Sequence, residues 1–279
     1  MSDGPNASFL KHLAPLAARE AAAHPPLESL LVDSIESLRR LVFPALRNDG
    51  ADGDELARRV ADGFSTLIAQ ALATGGSGDA RAIAESFFAR VATVADALAL
   101  DVRAAYEGDP AAQGELEIVE CYPGVRALFV HRFAHELDGL GVPLLPRMMA
   151  EYAHRETGID IHPSASIGRA VFIDHGTGVV IGQTAVIGDR CRIYQGVTLG
   201  AKNFEREADG SMRRNYKRHP TLEDDVVVYA GATILGGDTV IGRGSVVAGG
   251  VFLTRSVPAG HVVTGPKLEL RMISMGGSI

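Results

Sequence analysis

An aliphatic residue recurs every six positions between Ile161 and Leu253, and a glycine often follows it. The period runs from Ile161 to Leu199, resumes at Leu222 after an interruption and continues to Leu253. A helix repeats at about 3.6 residues and a half-buried strand at about two, so neither explains this period. A parallel β-helix does, because each six-residue step is one short strand and one corner. We therefore expect the aliphatic side chains to point inward and the glycines to permit close backbone approach at the corners.

The first half of the chain lacks this period, and its apolar residues recur at helical spacing. The predicted helices cover residues 30–42, 56–72, 83–102, 123–139 and 143–157. Gly75 and Gly76 are the expected end of the second helix, and Asp79 is the expected N-cap of the third.

These patterns predict an α+β chain with an N-terminal α-helical domain followed by a parallel β-helix. The expected parts are a helical domain over 1–158, a β-helix over 159–263, a loop inserted at 201–218 and a C-terminal tail over 264–279. Residues 1–25 have weak periodicity and are expected to form a loose tail. The charged loop is long for a compact domain, and such loops are usually functional or disordered. Flat faces of small residues favour a homotrimer. A helical domain of this size is able to join two trimers, so the sequence leaves a trimer and a hexamer open.

Composition narrows the function classes. The chain has 27 Lys and Arg against 34 Asp and Glu, a formal charge of −7, which disfavours nucleic acid or an acidic membrane as a partner. It contains no run of 18 apolar residues, and the N-terminal residues carry charges where a signal peptide needs an apolar stretch. Cys121 and Cys191 form no CxxC pair and are interpreted as reduced, buried thiols. Together these features predict a cytoplasmic protein.

Polar residues interrupt the hexapeptide region at few places, and two of them suggest a catalytic pair. Asp160 and His175 are fifteen residues apart, whereas one coil is about eighteen residues. Asp160 would then lie nearly one coil below His175, within reach of its ring. Such a pair makes a general base for a hydroxyl, because the carboxylate fixes the tautomer and stabilises the imidazolium. The alternative is that both are corner residues with local hydrogen bonds.

Two further polar sites have weaker signals. Arg218 and His219 stand where the loop rejoins the coil, and the guanidinium of an arginine suits a carboxylate. Taken alone, they fit a solvated loop end equally well. Asp109 follows a predicted helix and precedes a proline, which by itself indicates an ordinary N-cap.

Three strings in the β-helix identify a family. DIHP, DHGTG and GVTLGAK occur in that order from Asp160 to Lys202, and RHPTLEDD follows the loop. In this combination they resemble serine O-acetyltransferase, a hexapeptide-repeat acyltransferase family. The resemblance covers about residues 105–263, and the first half matches the family's N-terminal domain more loosely. It implies a left-handed β-helix that transfers the acetyl group of acetyl-CoA to the hydroxyl of L-serine, giving O-acetyl-L-serine for cysteine biosynthesis.

The resemblance implies roles for particular residues. His175 matches the general base of the family, and Asp160 matches the partner of that base. Asp109 and Asp174 match carboxylates that receive the serine ammonium group, and Arg218 and His219 match groups around the serine carboxylate. The residues expected beside coenzyme A are Gly200, Ala201, Ala230, Gly231 and Ala248. No cysteine or serine in these strings is placed as an acyl-enzyme nucleophile, so direct transfer in a ternary complex is expected, without a metal.

Family properties extend these expectations. The coenzyme A groove lies between neighbouring subunits, so activity would require the trimer. L-cysteine is expected to act as a feedback inhibitor. In many members a terminal isoleucine enters the active site of cysteine synthase, and Ile279 matches it; the alternative is that Ile279 is simply the last residue. Two departures from the family are the long loop and Gln183, which stands where a glutamate is common.

The sequence leaves three other functions to compare with this one. The first is an acyltransferase of the same fold acting on homoserine, an amino sugar or an antibiotic. The second is a zinc enzyme that uses His162, His175 and His219 as ligands between subunits. The third is a non-catalytic scaffold for cysteine synthase, which the Asp160 and His175 pair argues against.

Overall fold

The computed structural model describes residues 24–47, 50 and 52–266. Ile279 and most of the expected N-terminal tail lie outside these residues, so their roles stay predictions. The described helices are α1 Glu28–Val42, α2 Gly53–Leu72, α3 Ala80–Phe88, α4 Val91–Gly108, α5 Glu115–Cys121, α6 Pro123–Gly139 and α7 Leu145–Thr157, with a short 3-10 helix at Pro44–Leu46. None of the described helices is both long and apolar enough to cross a membrane.

The helices follow the predicted pattern, with two differences. The helix predicted over 83–102 is divided, because α3 ends at Phe88 and α4 begins at Val91. The apolar spacing continues through the break because Phe87 and Val94 both enter the helical core, so the spacing hides the turn. The second difference is α5, which is too short to show a helical period and was not predicted.

From Asp160 onward the chain forms a left-handed parallel β-helix of about five turns. Its strands are β1 Asp160–Ile161, β2 Ser166–Ile167, β3 Phe172–Asp174, β4 Val180–Ile181, β5 Val186–Ile187, β6 Arg192–Tyr194, β7 Thr198–Gly200, β8 Thr221–Leu222, β9 Val227–Val228, β10 Thr233–Leu235, β11 Val240–Ile241, β12 Val246–Val247, β13 Phe252–Leu253 and β14 Val262–Val263. They stack as sheet A (β1-β4-β7-β10-β13), sheet B (β2-β5-β8-β11) and sheet C (β3-β6-β9-β12-β14). The cross-section is therefore a triangle with one sheet on each side.

The hexapeptide aliphatic residues fill the interior of this triangle, as predicted. The buried column of sheet A is Ile161, Ile181, Leu199, Ile234 and Leu253. Helix α6 contributes Ala127 and Leu128 to the same core, next to Ile159 and Ile161 at the first coil. The helical domain and the β-helix therefore share apolar packing, whose burial stabilises both.

A buried ion pair also joins the two domains. Asp101 of α4 is fully buried, and its carboxylate accepts hydrogen bonds from Arg132 Nε at 2.6 Å and Nη2 at 2.8 Å. Arg132, on α6, donates further to the Gly168 carbonyl at 2.7 Å, and Asp101 accepts the Val171 N–H at 3.0 Å. These contacts attach α4 and α6 to the corner that follows β2.

The inserted loop forms a small hairpin rather than an extended, irregular loop. Arg206 and Met212 form an antiparallel bridge, and Arg213 pairs with Glu205 across the hairpin. The Tyr216 hydroxyl accepts the Glu205 N–H at 2.9 Å, which ties the base of the hairpin together. The chain thus returns to the coil at His219 in a defined orientation.

The two thiols differ in exposure. Cys191 is buried, as predicted, and burial raises the pKa of its thiol to about 11. Cys121, at the end of α5, is exposed. The prediction that both cysteines are buried is therefore wrong for Cys121, because its helix covers the core with other side chains, Ile118 and Val119.

Candidate active site

Apart from Asp160 and Ile279, the predicted site residues lie at two corners of the triangle. The corner between sheets C and A carries Asp174–Gly178, with Asp109 beside it, and is called the acidic corner. The corner between sheets A and B carries His162 and Lys217–Pro220, and is called the basic corner. Both are ends of sheet A, so that face of the β-helix separates them.

The acidic corner presents His175 to solvent. The backbone of His175 is left-handed (φ 56°), a conformation that non-glycine residues seldom adopt, and such strain is common at functional sites. A tight contact from the Gly176 N–H to the Asp174 carbonyl, at 2.6 Å, closes the turn. The His175 side chain is 70% exposed, and its Nδ1 lies 3.7 Å from Asp174 Oδ1. The ring is therefore available to take a proton from a bound molecule.

Asp109 reaches the same corner from the helical domain. It directly follows α4, and its Oδ1 accepts the Ala111 N–H at 2.8 Å, which closes a turn at the end of the helix. Its Oδ2 accepts a hydrogen bond from the Tyr122 hydroxyl at 2.6 Å. The Tyr122 hydroxyl, the Ala111 N–H and the nearby His175 all lower the pKa of Asp109. The acidic corner thus holds two carboxylates next to an imidazole.

The basic corner is built around His219. Its Nδ1 accepts the Thr184 N–H at 3.1 Å, which leaves the proton of the neutral ring on Nε2. Gly182 makes room for the ring, because a Cβ there would lie 2.0 Å from His219 Cδ2. Burial, and then the charges of Arg218 and Lys217, lower the pKa of His219 to about 4. His219 is therefore neutral near pH 7 and offers a hydrogen-bond donor.

Arg218 is held on two sides. Its guanidinium donates to Gln183 Oε1 and lies 5.8 Å from the centre of the Tyr216 ring, a cation–π distance. Its N–H donates to Thr184 Oγ1 at 2.9 Å. Gln183, the residue that departs from the family, thus supports the predicted carboxylate-binding arginine.

Asp160 belongs to sheet A rather than to the acidic corner. Its backbone pairs with Val180, beyond His175 in the sequence, because the Asp174–Gly178 turn lengthens the first coil. Among the described residues, the ion-pair contact of Asp160 is with Arg147, at 4.0 Å, whereas that of His175 is with Asp174. The pairing of Asp160 with His175 stays a prediction, and one chain by itself does not form it.

The residues expected beside coenzyme A are divided between the two corners. Ala230, Gly231 and Ala248 continue the acidic corner along the coil axis. Gly200 and Ala201 lie at the end of β7, at the basic corner where the loop leaves. To contact both sets of residues, an elongated molecule such as coenzyme A must lie along one corner of the β-helix, with a second protein surface beside that corner.

The histidines proposed as alternative metal ligands do not form a cluster within the described residues. His162 uses its Nδ1 to accept the Ser164 N–H at 3.1 Å, within its own turn. Among the described residues, the side chains that lie close enough together to share a metal ion are those of Glu151, His154 and Asp160, and this group is largely exposed.

Two tyrosines that support the site were not predicted from the sequence. Tyr122 and Tyr216 belong to no string that suggested chemistry, and each acts through a neighbour, Asp109 or Arg218. No sequence spacing identifies them, because each contact depends on how a separate segment returns to the β-helix.

Comparisons with known proteins identify relatives of this chain. No family model matches the chain. "Serine acetyltransferase, plasmid" of Synechococcus elongatus is 60% identical over 179 residues, which are 64% of this chain and 56% of that protein. Serine acetyltransferase of Mycobacterium tuberculosis is 49% identical over 165 residues, 59% of this chain and 68% of that protein. The match thus spans little more than half of the Synechococcus relative and about two thirds of the mycobacterial one.

Solved structures extend the likeness to the helical domain. Entamoeba histolytica serine acetyltransferase 1 in complex with L-cysteine is 34% identical with a TM-score of 0.75, over 92% of this chain and 97% of that one. Neisseria gonorrhoeae serine acetyltransferase in complex with serine is 28% identical with a TM-score of 0.59, over 84% and 95% of the respective chains. From the strings, the fold and these relatives together, the chain belongs to the serine acetyltransferase family.

Proposed function

We propose that the protein transfers the acetyl group of acetyl-CoA to the hydroxyl of L-serine, at a site shared between two subunits. The observation that carries this proposal is the distribution of charge over sheet A: carboxylates and a general base at one end, an arginine at the other. Serine is a small zwitterion, so its site needs an anion for the ammonium and a cation for the carboxylate. The relatives named above are serine acetyltransferases.

A three-fold assembly explains why the two corners are separate. If sheet A faces the three-fold axis, the acidic corner of each chain meets the basic corner of the next. Asp109, Asp174 and His175 of one chain then face Asp160, Arg218 and His219 of the neighbour. The same contact unites the two sets of residues expected beside coenzyme A. Residues on the outer face of sheet A that fit such an interface are Val180, Thr198, Thr233 and Phe252.

The chemistry then follows in one step of acyl transfer. Asp109 and Asp174 bind the serine ammonium, and Arg218 binds its carboxylate. His175 takes the hydroxyl proton, with Asp160 of the neighbouring chain as its partner, while the oxygen attacks the thioester carbonyl carbon. Backbone N–H groups near Gly200 stabilise the oxyanion. The carbon–sulfur bond breaks, and His175 returns the proton to the thiolate, so the products are O-acetylserine and free coenzyme A.

The test is thiol release from acetyl-CoA with L-serine, with L-homoserine and without an acceptor. We expect release that depends on serine and is much slower with homoserine, because the fixed charges at both ends match the shorter amino acid. Release with homoserine alone would keep the fold and chemistry and replace the substrate. No release with any acceptor would contradict the acetyltransferase proposal.

We expect L-cysteine to inhibit this reaction by competing with serine. Cysteine carries the same ammonium and carboxylate, with a thiol in place of the hydroxyl, so the same charged groups bind it. A cysteine titration at several serine concentrations should raise the KM for serine and leave kcat unchanged. Cysteamine, which lacks the carboxylate, is the matched control and should inhibit much less. Indifference to cysteine at concentrations equal to serine would contradict the shared site.

A further inference from the structure

The helical domain supplies a second residue to the acidic corner, Tyr122, in addition to Asp109. Tyr122 lies between α5 and α6 and is half-buried, and its hydroxyl donates to Asp109 Oδ2 at 2.6 Å. The other oxygen, Oδ1, accepts the Ala111 N–H at 2.8 Å. With one donor on each oxygen, the plane of the carboxylate is fixed, and a second lone pair on each oxygen stays available for an ammonium group.

Close packing fixes the segments that carry both residues. Gly124, two residues after Tyr122, contacts β3 so tightly that a Cβ there would lie 2.0 Å from the Ile173 carbonyl oxygen. Gly108, directly before Asp109, also contacts β3, where a Cβ would lie 2.8 Å from the Phe172 ring. Both segments therefore rest on the strand that ends in Asp174. The chain segments that carry Tyr122 and Asp109 are therefore packed against the acidic corner.

Charge in this cluster gives the hydroxyl a function beyond packing. Asp109, Asp174 and Glu117 all surround Tyr122, and the hydrogen bond to Asp109 is the main cause of the raised pKa of the tyrosine. The hydroxyl therefore stays protonated and can only donate to the carboxylate. The same bond is the first cause of the lowered pKa of Asp109, to which the Ala111 N–H and the electrostatic effects of His175 and Arg192 add.

We propose that Tyr122 is a positioning residue of the acceptor site, whose hydroxyl orients the Asp109 carboxylate to receive the ammonium group of the amino-acid acceptor. This inference rests on the proposed function, because it assigns the ammonium to Asp109. Tyr122 touches neither the hydroxyl to be acetylated nor the thioester in this arrangement. It therefore affects binding of the acceptor rather than the chemical step.

The experiment compares wild type, Tyr122→Phe and the control Tyr106→Phe, an exposed tyrosine on α4. Loss of the hydrogen bond to a charged group is expected to raise the KM for serine about tenfold. The kcat and the KM for acetyl-CoA should stay within about twofold of wild type, which also reports intact folding. Tyr106→Phe should change none of these values.

A double variant separates positioning from a structural role. In an Asp109→Asn background, Tyr122→Phe should have no further effect on the KM, because the hydroxyl acts through the carboxylate. An active wild type with an unchanged KM for serine in Tyr122→Phe, or full additivity in the double variant, would overturn the inference. A wild type without serine-dependent release would instead overturn the proposed function, and this inference with it.

Discussion

Replacement of His175 by asparagine is expected to lower kcat for serine acetylation by about 10²- to 10⁴-fold, the usual contribution of a general base. Asparagine suits this test better than alanine, because residue 175 has a left-handed backbone (φ 56°) that asparagine tolerates. The side chain is 70% exposed in the isolated chain, so its loss should leave the unfolding transition nearly unchanged. Thiol release under saturating serine and acetyl-CoA gives kcat, and His261→Ala, at an exposed histidine near the end of the β-helix, is the control. A kcat within about threefold of wild type would exclude His175 as the base.

The same variant tests whether the site is shared between chains. Arg218→Ala should also be nearly inactive with serine, because it removes the cation for the carboxylate. If His175 and Arg218 of one site come from different chains, mixed trimers contain some sites with neither change. Random mixing of the two inactive chains should then restore about a quarter of wild-type activity, since half the chains supply each intact group. No recovery after co-refolding would place both groups in one chain.

Removal of the Asp101 carboxylate is expected to cost about 3–5 kcal/mol of unfolding free energy, the usual effect of breaking a buried ion pair. In Asp101→Ala the guanidinium of Arg132 stays buried without its counter-charge, and the Val171 N–H loses its acceptor. Both losses fall at the junction between α4, α6 and the first coil. Urea unfolding at one fixed protein concentration measures the change, because oligomer stability depends on concentration.

The control for this prediction is Asp96→Ala, at an exposed aspartate on the same helix. It changes the same residue type without a buried partner, so its effect should stay within about 0.5 kcal/mol. Asp101→Ala should also weaken serine binding below its unfolding transition, since α4 carries Asp109 at its end. If both variants unfold alike, the ion pair between Asp101 and Arg132 does not hold the domains together.

The sequence predicts the architecture well because the constraint behind it is local and repeated. Each turn of the β-helix needs an aliphatic residue facing inward, so Ile161 and Leu253 reflect the same requirement four coils apart. The helices are predictable in the same way, because their apolar residues recur at helical spacing. The exception is the turn between α3 and α4, which preserves that spacing and therefore is not visible in the sequence. The strings around Asp160, His175 and Arg218 identify the family because their residue types occur together in one order.

What the sequence by itself determined is therefore the β-helix, the helical domain and the identity of the charged groups. Only the tertiary structure decided which of those groups meet. The Asp174–Gly178 turn lengthens the first coil, so the backbone of Asp160 pairs with Val180, whereas the contact between the Asp160 and His175 side chains stays a prediction. Tyr122 reaches Asp109 because two glycines allow separate segments to rest on one strand. A repeated inward pattern is set by each coil alone, whereas contacts between distant segments depend on the lengths and bends of the chain between them.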